Sequence, residues 1–138
     1  MKRITRIIIL LALAAICSCF ILGCKKEESE SPDKKELENI LANPQNYPQL
    51  TTEEFLQFID GKTDLTADDL PMDKACYKAD RFNLTRYIID GKFLFSCYIH
   101  ESVAARSMYT LDYFENGKIV ETVSSIPNFA DFIAKHGE

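Results

Sequence analysis

Cys97 and His100 are the first residues in this chain whose types could do chemistry, a thiol and an imidazole three positions apart. A cysteine nucleophile needs a base within hydrogen-bond reach. Both residues belong to one extended run, and a separation of three puts them on opposite faces of a strand. A dyad is therefore not expected. The only other histidine, His136, sits in the last turn of a predicted helix, where it complements the helix dipole. No His/Cys cluster has the spacing of a zinc site. Asp64, Asp68 and Asp69 invite a calcium reading, but their spacing is not that of an EF-hand loop and the closing Glu is missing. They read as cap and turn carboxylates. Glu101 and Asp112 are isolated carboxylates on predicted strands. The five glycines fall at a leader junction, at helix ends and in hairpin turns, so no phosphate-binding loop is present. No catalytic residue, metal ligand or cofactor is expected.

Five cysteines look numerous, yet Cys17, Cys19 and Cys24 lie near the N-terminus, which leaves Cys76 and Cys97 for the folded part. In an oxidising compartment that pair can form a disulfide, which would stabilise by roughly 3 kcal/mol in the chain-entropy model. The alternative is two buried, reduced thiols packed as small hydrophobes.

The N-terminus has its own pattern. Met1 to Arg6 is short and basic, and Ile7 to Leu22 is an unbroken run of 16 apolar and small residues ending at Gly23-Cys24. A basic start, an apolar stretch and a small residue at the cut describe a secretory signal. The run is short for a membrane-spanning helix, which takes about 20 residues, although a retained signal anchor is the alternative. Ile21-Leu22-Gly23-Cys24 resembles the lipobox of bacterial lipoproteins: an aliphatic residue, a variable one, a small one and the lipidated cysteine. The resemblance implies cleavage between Gly23 and Cys24 and diacylglyceryl on the Cys24 thiol. Two or three acyl chains, palmitate among them, would then hold the chain in a membrane where one would not. Ile16-Cys17-Ser18-Cys19 is a rival cut, but it would leave Phe20, Ile21 and Leu22 at the start of the mature chain.

Residues 24–35 follow as a tether. KKEESESPDKK has no aromatic or aliphatic residue and cannot collapse. Lys26-Glu27-Glu28 resembles the lysine-plus-acidic-pair signal that sends lipoproteins of the Bacteroidetes to the outer face of the outer membrane. A plain charged spacer is the alternative. The expected location is the cell envelope, anchored by lipid in the outer membrane, with surface exposure open. Loss of Lys2, Arg3 and Arg6 with the leader leaves 13 Lys and Arg against 21 Asp and Glu, so the whole-chain charge of -5 becomes -8. That balance argues against nucleic acid, which needs a basic footprint.

Residues 36–138 are expected to form one α+β globular domain, near the commonest domain size. Asp33 to Ala42 reads as a helix with Asp33 and Glu36 placed as a capping box. Thr51 and Glu54 repeat that signature before Phe55, Phe58 and Ile59, a stripe at helical spacing closed by Gly61. Thr66 to Leu70 suits one helical turn. From Arg81 the pattern turns to strand. Runs at 82–89 and 93–99 flank Asp90-Gly91, and runs at 106–114 and 119–123 flank Asn116-Gly117, two dipeptides that favour hairpins. A last helix is predicted over 127–136. The expected fold is thus two N-terminal helices, a four-stranded antiparallel meander of two hairpins and a C-terminal helix.

Alternation places Phe93, Phe95, Cys97 and Ile99 on the core side. With helices on one sheet face only, the other would lie open, and Tyr87, Tyr98, Tyr109 and Tyr113 would be candidates for an interaction face, since Tyr is enriched at interfaces. Ordinary cross-strand packing is the alternative.

Phe58-Ile59-Asp60-Gly61-Lys62-Thr63 is similar to the Ile-x-x-Gly-Met-Thr turn of the small lipoproteins of the outer-membrane barrel-assembly machinery, with Lys62 where that family has Met. Tyr113 to Val120 is similar to their Phe-x-Asn-Gly-Lys-Val hairpin. The resemblance spans roughly residues 51–124, implies a scaffold role and carries over no binding residue. The expected function is a non-enzymatic binding or scaffold module with a protein partner in the envelope. An inhibitor or immunity protein against an exported hydrolase, or an envelope enzyme with a dispersed site, are the alternatives.

Overall fold

The computed structural model describes residues 32–80, 83–100 and 107–137. The expected leader, Cys24 as the expected lipid site, Lys26-Glu27-Glu28 and Glu101 lie outside the described residues. Helix α1 spans Pro32–Ala42. Residues 32–35, expected in the tether, are therefore its first turn. Asp33 is not its cap: the carboxylate takes the hydroxyl of Tyr77 instead. Glu36 likewise accepts from the Tyr47 hydroxyl at 3.2 Å. Ile40 and Leu41 are the helix's buried residues.

Helix α2, Thr52–Ile59, starts as its sequence predicts. The Glu54 amide donates to the Thr51 hydroxyl at 3.1 Å, and the Thr51 amide donates to the Glu54 carboxylate at 2.8 Å. Two donors that the helix itself cannot satisfy are thereby paired. Helix α3, Phe129–His136, closes the chain and buries Phe129, Phe132 and Ile133.

The fold is α+β around one mixed sheet. Its strands are β1 Gln49–Leu50, β2 Tyr77–Ala79, β3 Leu84–Ile89, β4 Phe93–Tyr98, β5 Met108–Glu115 and β6 Lys118–Val123. The last four are antiparallel neighbours in sequence order. The sheet is nevertheless larger than the four strands expected. β1 pairs parallel with one end of β3 and β2 antiparallel with the other. Both additions are too short to show an alternating pattern in the sequence.

The turns follow their dipeptides. Asn116 and Gly117 both have positive φ, 50° and 76°, and join β5 to β6 as a two-residue turn. Asp90 and Gly91 are also at positive φ, but Lys92 joins them in a three-residue connection. At the free edge of the sheet, a register shift opposite Tyr113 and Phe114 leaves Val120 as an extra residue in β6. Such a bulge, between Lys118 and Glu121, discourages edge-to-edge pairing.

Helices α2 and α3 cover one face of the sheet. Phe95 lies at the centre of this main core, with ring centroids of Phe55, Tyr87, Phe129 and Tyr109 between 5.2 and 6.4 Å away. The opposite face is not open as expected. α1 lays Ile40 and Leu41 on Ile88, Leu94 and Phe114, which form a second buried cluster. Beside that cluster the second face is polar and still buried. Arg86, 7% exposed, donates from Nε to Ser96 Oγ at 3.3 Å and lies 5.3 Å from the Tyr77 ring centroid, while its Nη1 meets no hydrogen-bond partner among the described residues. Asp112 accepts from the Thr122 hydroxyl at 2.5 Å. Burial raises its carboxyl above the ordinary range against the opposing pull of that hydrogen bond and of Arg86.

Candidate functional site

The residues first suspected of chemistry are placed apart. Cys97 is fully buried in the main core, and burial pushes its thiol up to about 12. His100 is exposed beyond the end of β4. Cys76 packs against the second cluster, on the other side of the sheet, and burial again pushes its thiol up to about 12. The Cys76–Cys97 disulfide is not formed, and both thiols are free. A thiol this hard to ionise is a poor nucleophile at neutral pH. His136 stacks on Tyr113 at 4.1 Å between ring centroids, and its Nε2 lies 2.8 Å from Glu121. Lys135 donates to the same carboxylate at 2.9 Å. The hydrogen bonds with Lys135, foremost, and with His136 hold Glu121 below its ordinary range. This cluster pins α3 to β6.

The four tyrosines do not share an open face. Tyr87 is wholly buried and Tyr109 nearly so, both in the main core beneath the helices. Tyr113 is half-buried on that same side. Tyr98, also half-buried, points the other way by strand alternation. Register explains this. Tyr87 pairs with Phe95, which pairs with Leu111, so tyrosines two residues from Leu111 must share the Phe95 face.

Tyr109 has a different task. Its hydroxyl accepts from the Leu65 amide at 2.8 Å and donates to the Asp64 carboxylate. Leu65 beside it is only 2% exposed. This latch fixes the start of an irregular segment that runs over residues 62–74. Asp69 ties the segment down further. Its carboxylate accepts from the Thr66 amide at 2.7 Å and from Lys62 Nζ at 2.9 Å. The Thr66 amide, then Lys62, hold its carboxyl down at about 2. Two short 3-10 turns, Ala67–Asp69 and Met72–Lys74, complete the run. The Tyr87 hydroxyl reaches Met72 Sδ at 3.9 Å from beneath.

Between this segment and α2 lies an open cleft of roughly 600 Å³, within the range of about 300–1,000 Å³ common for ligand sites. Leu50, Phe58, Leu70 and Pro71 give it an apolar floor. Glu54, Asp68, Asp69 and Asp73 stand around it, with Lys74 as the one cation in the lining. Glu54 is held below its ordinary range, first by the Thr51 amide. The far flank of α2 has a second shallow cleft that adds Glu53 and Asp60. Asp64 and Asp69 are thus the turn carboxylates that their spacing suggests. Among the described residues, no three His, Cys, Asp or Glu side chains are grouped to hold a metal ion.

The cleft was not anticipated, although its signal is in the chain. Residues 53–73 hold seven acids against one lysine, Lys62. Only the folding of 62–74 back along α2 turns that density into a wall. The chain matches no protein-family model, no curated protein and no solved structure.

Proposed function

We propose that the chain is a lipid-anchored lipoprotein of the bacterial envelope whose folded part is a non-enzymatic binding or scaffold module. The frame of that module is the two leading helices, the meander of β3 to β6 and the closing helix. The observation that carries the reading is the sequence Ile21-Leu22-Gly23-Cys24 at the end of an apolar run with a basic start. Its resemblance to a lipobox puts the anchor on Cys24. Lys26-Glu27-Glu28 favours display from the outer membrane. The two remaining cysteines support a role without catalysis, because burial holds both far from the thiolate. The acidic cleft supports binding. It also favours a second reading, an inhibitor or immunity protein that blocks a basic exported hydrolase, since complementary charge steers such pairs together.

Metabolic labelling with a fatty acid tests the anchor. Cys24→Ser is expected to abolish incorporation and leave an uncleaved precursor. Label that persists in Cys24→Ser, and disappears in Cys19→Ser, would move the anchor to the rival site and overturn the assignment of Cys24.

A further inference from the structure

The cleft between α2 and residues 67–74 combines two surfaces that are seldom exposed together without a partner. Its floor is apolar, and Met72 beside it is 43% exposed. Met adapts to irregular partners, which is why it recurs on binding surfaces. Its rim is anionic. Of the four carboxylates, Glu54 and Asp69 are spent on a helix cap and on Lys62. Asp68 and Asp73 are exposed and form no ion pair among the described residues. They are therefore free to meet charge from outside.

We infer that this cleft receives a cationic peptide segment of a partner protein, with an apolar side chain on Leu50, Phe58 and Leu70 and lysine or arginine against Asp68 and Asp73. The inference rests on the binding-module reading above and names its partner's chemistry. The floor decides between occupants. A bare cation would gain nothing from the apolar surface, a polyamine could lay only thin unbranched methylenes there, and an acidic segment would face a lining with four carboxylates and one lysine. A segment that alternates basic and apolar residues satisfies both parts. The cleft is open, so its rim charges act through water and are screened with a Debye length of about 8 Å at physiological salt.

The test uses the full chain in a non-ionic detergent, with the synthetic peptide Lys-Leu-Lys-Phe-Lys as probe and Glu-Leu-Glu-Phe-Glu as its charge-reversed control. Backbone amide shifts report the site. Shifts are expected at residues 54–58 and 68–74 with the lysine peptide and not with the control. The double variant Asp68→Lys, Asp73→Lys should bind the lysine peptide at least tenfold more weakly while its unfolding midpoint stays that of the parent. Raising the salt from 50 to 500 mM should weaken the parent's binding and leave the variant's almost unchanged. Leu70→Gln should weaken binding and keep the salt dependence. The inference is overturned if the lysine peptide produces no shifts, if the shifts fall elsewhere, or if charge reversal leaves the affinity unchanged. Loss of fatty-acid label from Cys24→Ser together with no peptide binding would sink the cleft and leave the anchor. Peptide binding in a chain that incorporates no fatty acid would do the reverse.

Discussion

Phe95 makes more ring contacts than any other described aromatic residue, touching side chains from α2, α3, β3 and β5. Phe95→Ala would remove the ring from a site with no exposure, where neighbours held by two helices and two strands cannot collapse into the space. A loss of about 3–5 kcal/mol is expected from the truncation and the cavity together, measured by urea denaturation against the parent. A loss below about 1 kcal/mol would show that the helices repack over the sheet. The placement of Phe93, Phe95 and Cys97 on the core side was readable from alternation within β4 alone. The placement of the tyrosines was not. Alternation says which residues of one strand agree with each other, but only inter-strand register says which face of the next strand they join. Tyr87 looks polar in isolation, and Asp90-Gly91 signals a turn without stating that Lys92 joins it, which is what sets Tyr87 opposite Phe95.

Among the elements, α2 and the segment facing it carry part of the pH dependence, and Glu121 on β6 acts in the same direction. Glu54 and Asp69 both have depressed carboxyls in the fold. A group of that kind binds protons more readily in the unfolded chain, so its contribution is present above the ordinary carboxylate range and is lost as pH falls through the folded value. The unfolding midpoint is therefore expected to drop between about pH 4.5 and pH 2. Glu54→Gln and Asp69→Asn should each flatten that drop. Asp112 has the opposite sign, because burial raises its carboxyl and acid relieves it. Asp112→Asn should consequently steepen the acid loss. Thermal melts of the three variants across this range check all three signs. The cap of α2 was plain in the sequence because a capping box is local, a four-residue stretch whose first and last residues pair. The strands β1 and β2 were not, since two or three residues cannot show a period and exist as strands only because β3 presents them an edge.

The molecule as a whole differs from the expected one chiefly by its second layer. With α1 on one side and α2 and α3 on the other, both sheet faces are occupied along much of their length. One result is that Cys76 and Cys97 sit under different layers. Cys97, wholly buried, should react with a thiol reagent only through wide opening of the fold, whereas half-buried Cys76 should react sooner. Added reductant should leave the unfolding midpoint where it is. Equally slow reaction of the two thiols would show that α1 shields Cys76 as fully as the main core shields Cys97. The second layer was hidden for a physical reason. α1 brings only Leu37, Ile40 and Leu41 to the sheet, so its sequence shows that it is an amphipathic helix without showing what it covers.

The Tyr109 latch has a bearing on the order in which the chain is made. The Leu65 amide and the hydroxyl that secures it are 44 residues apart. Residues 62–74 leave the ribosome well before β5 does, and contacts between such distant residues form late. Until β5 is in the sheet, nothing from Tyr109 holds the wall of the cleft against α2. A chain still being synthesised or moved across a membrane would thus have the acidic residues without the cleft. The partner proposed above would meet a finished surface only on a molecule whose last strands have already paired, so recognition would double as an inspection of completed folding.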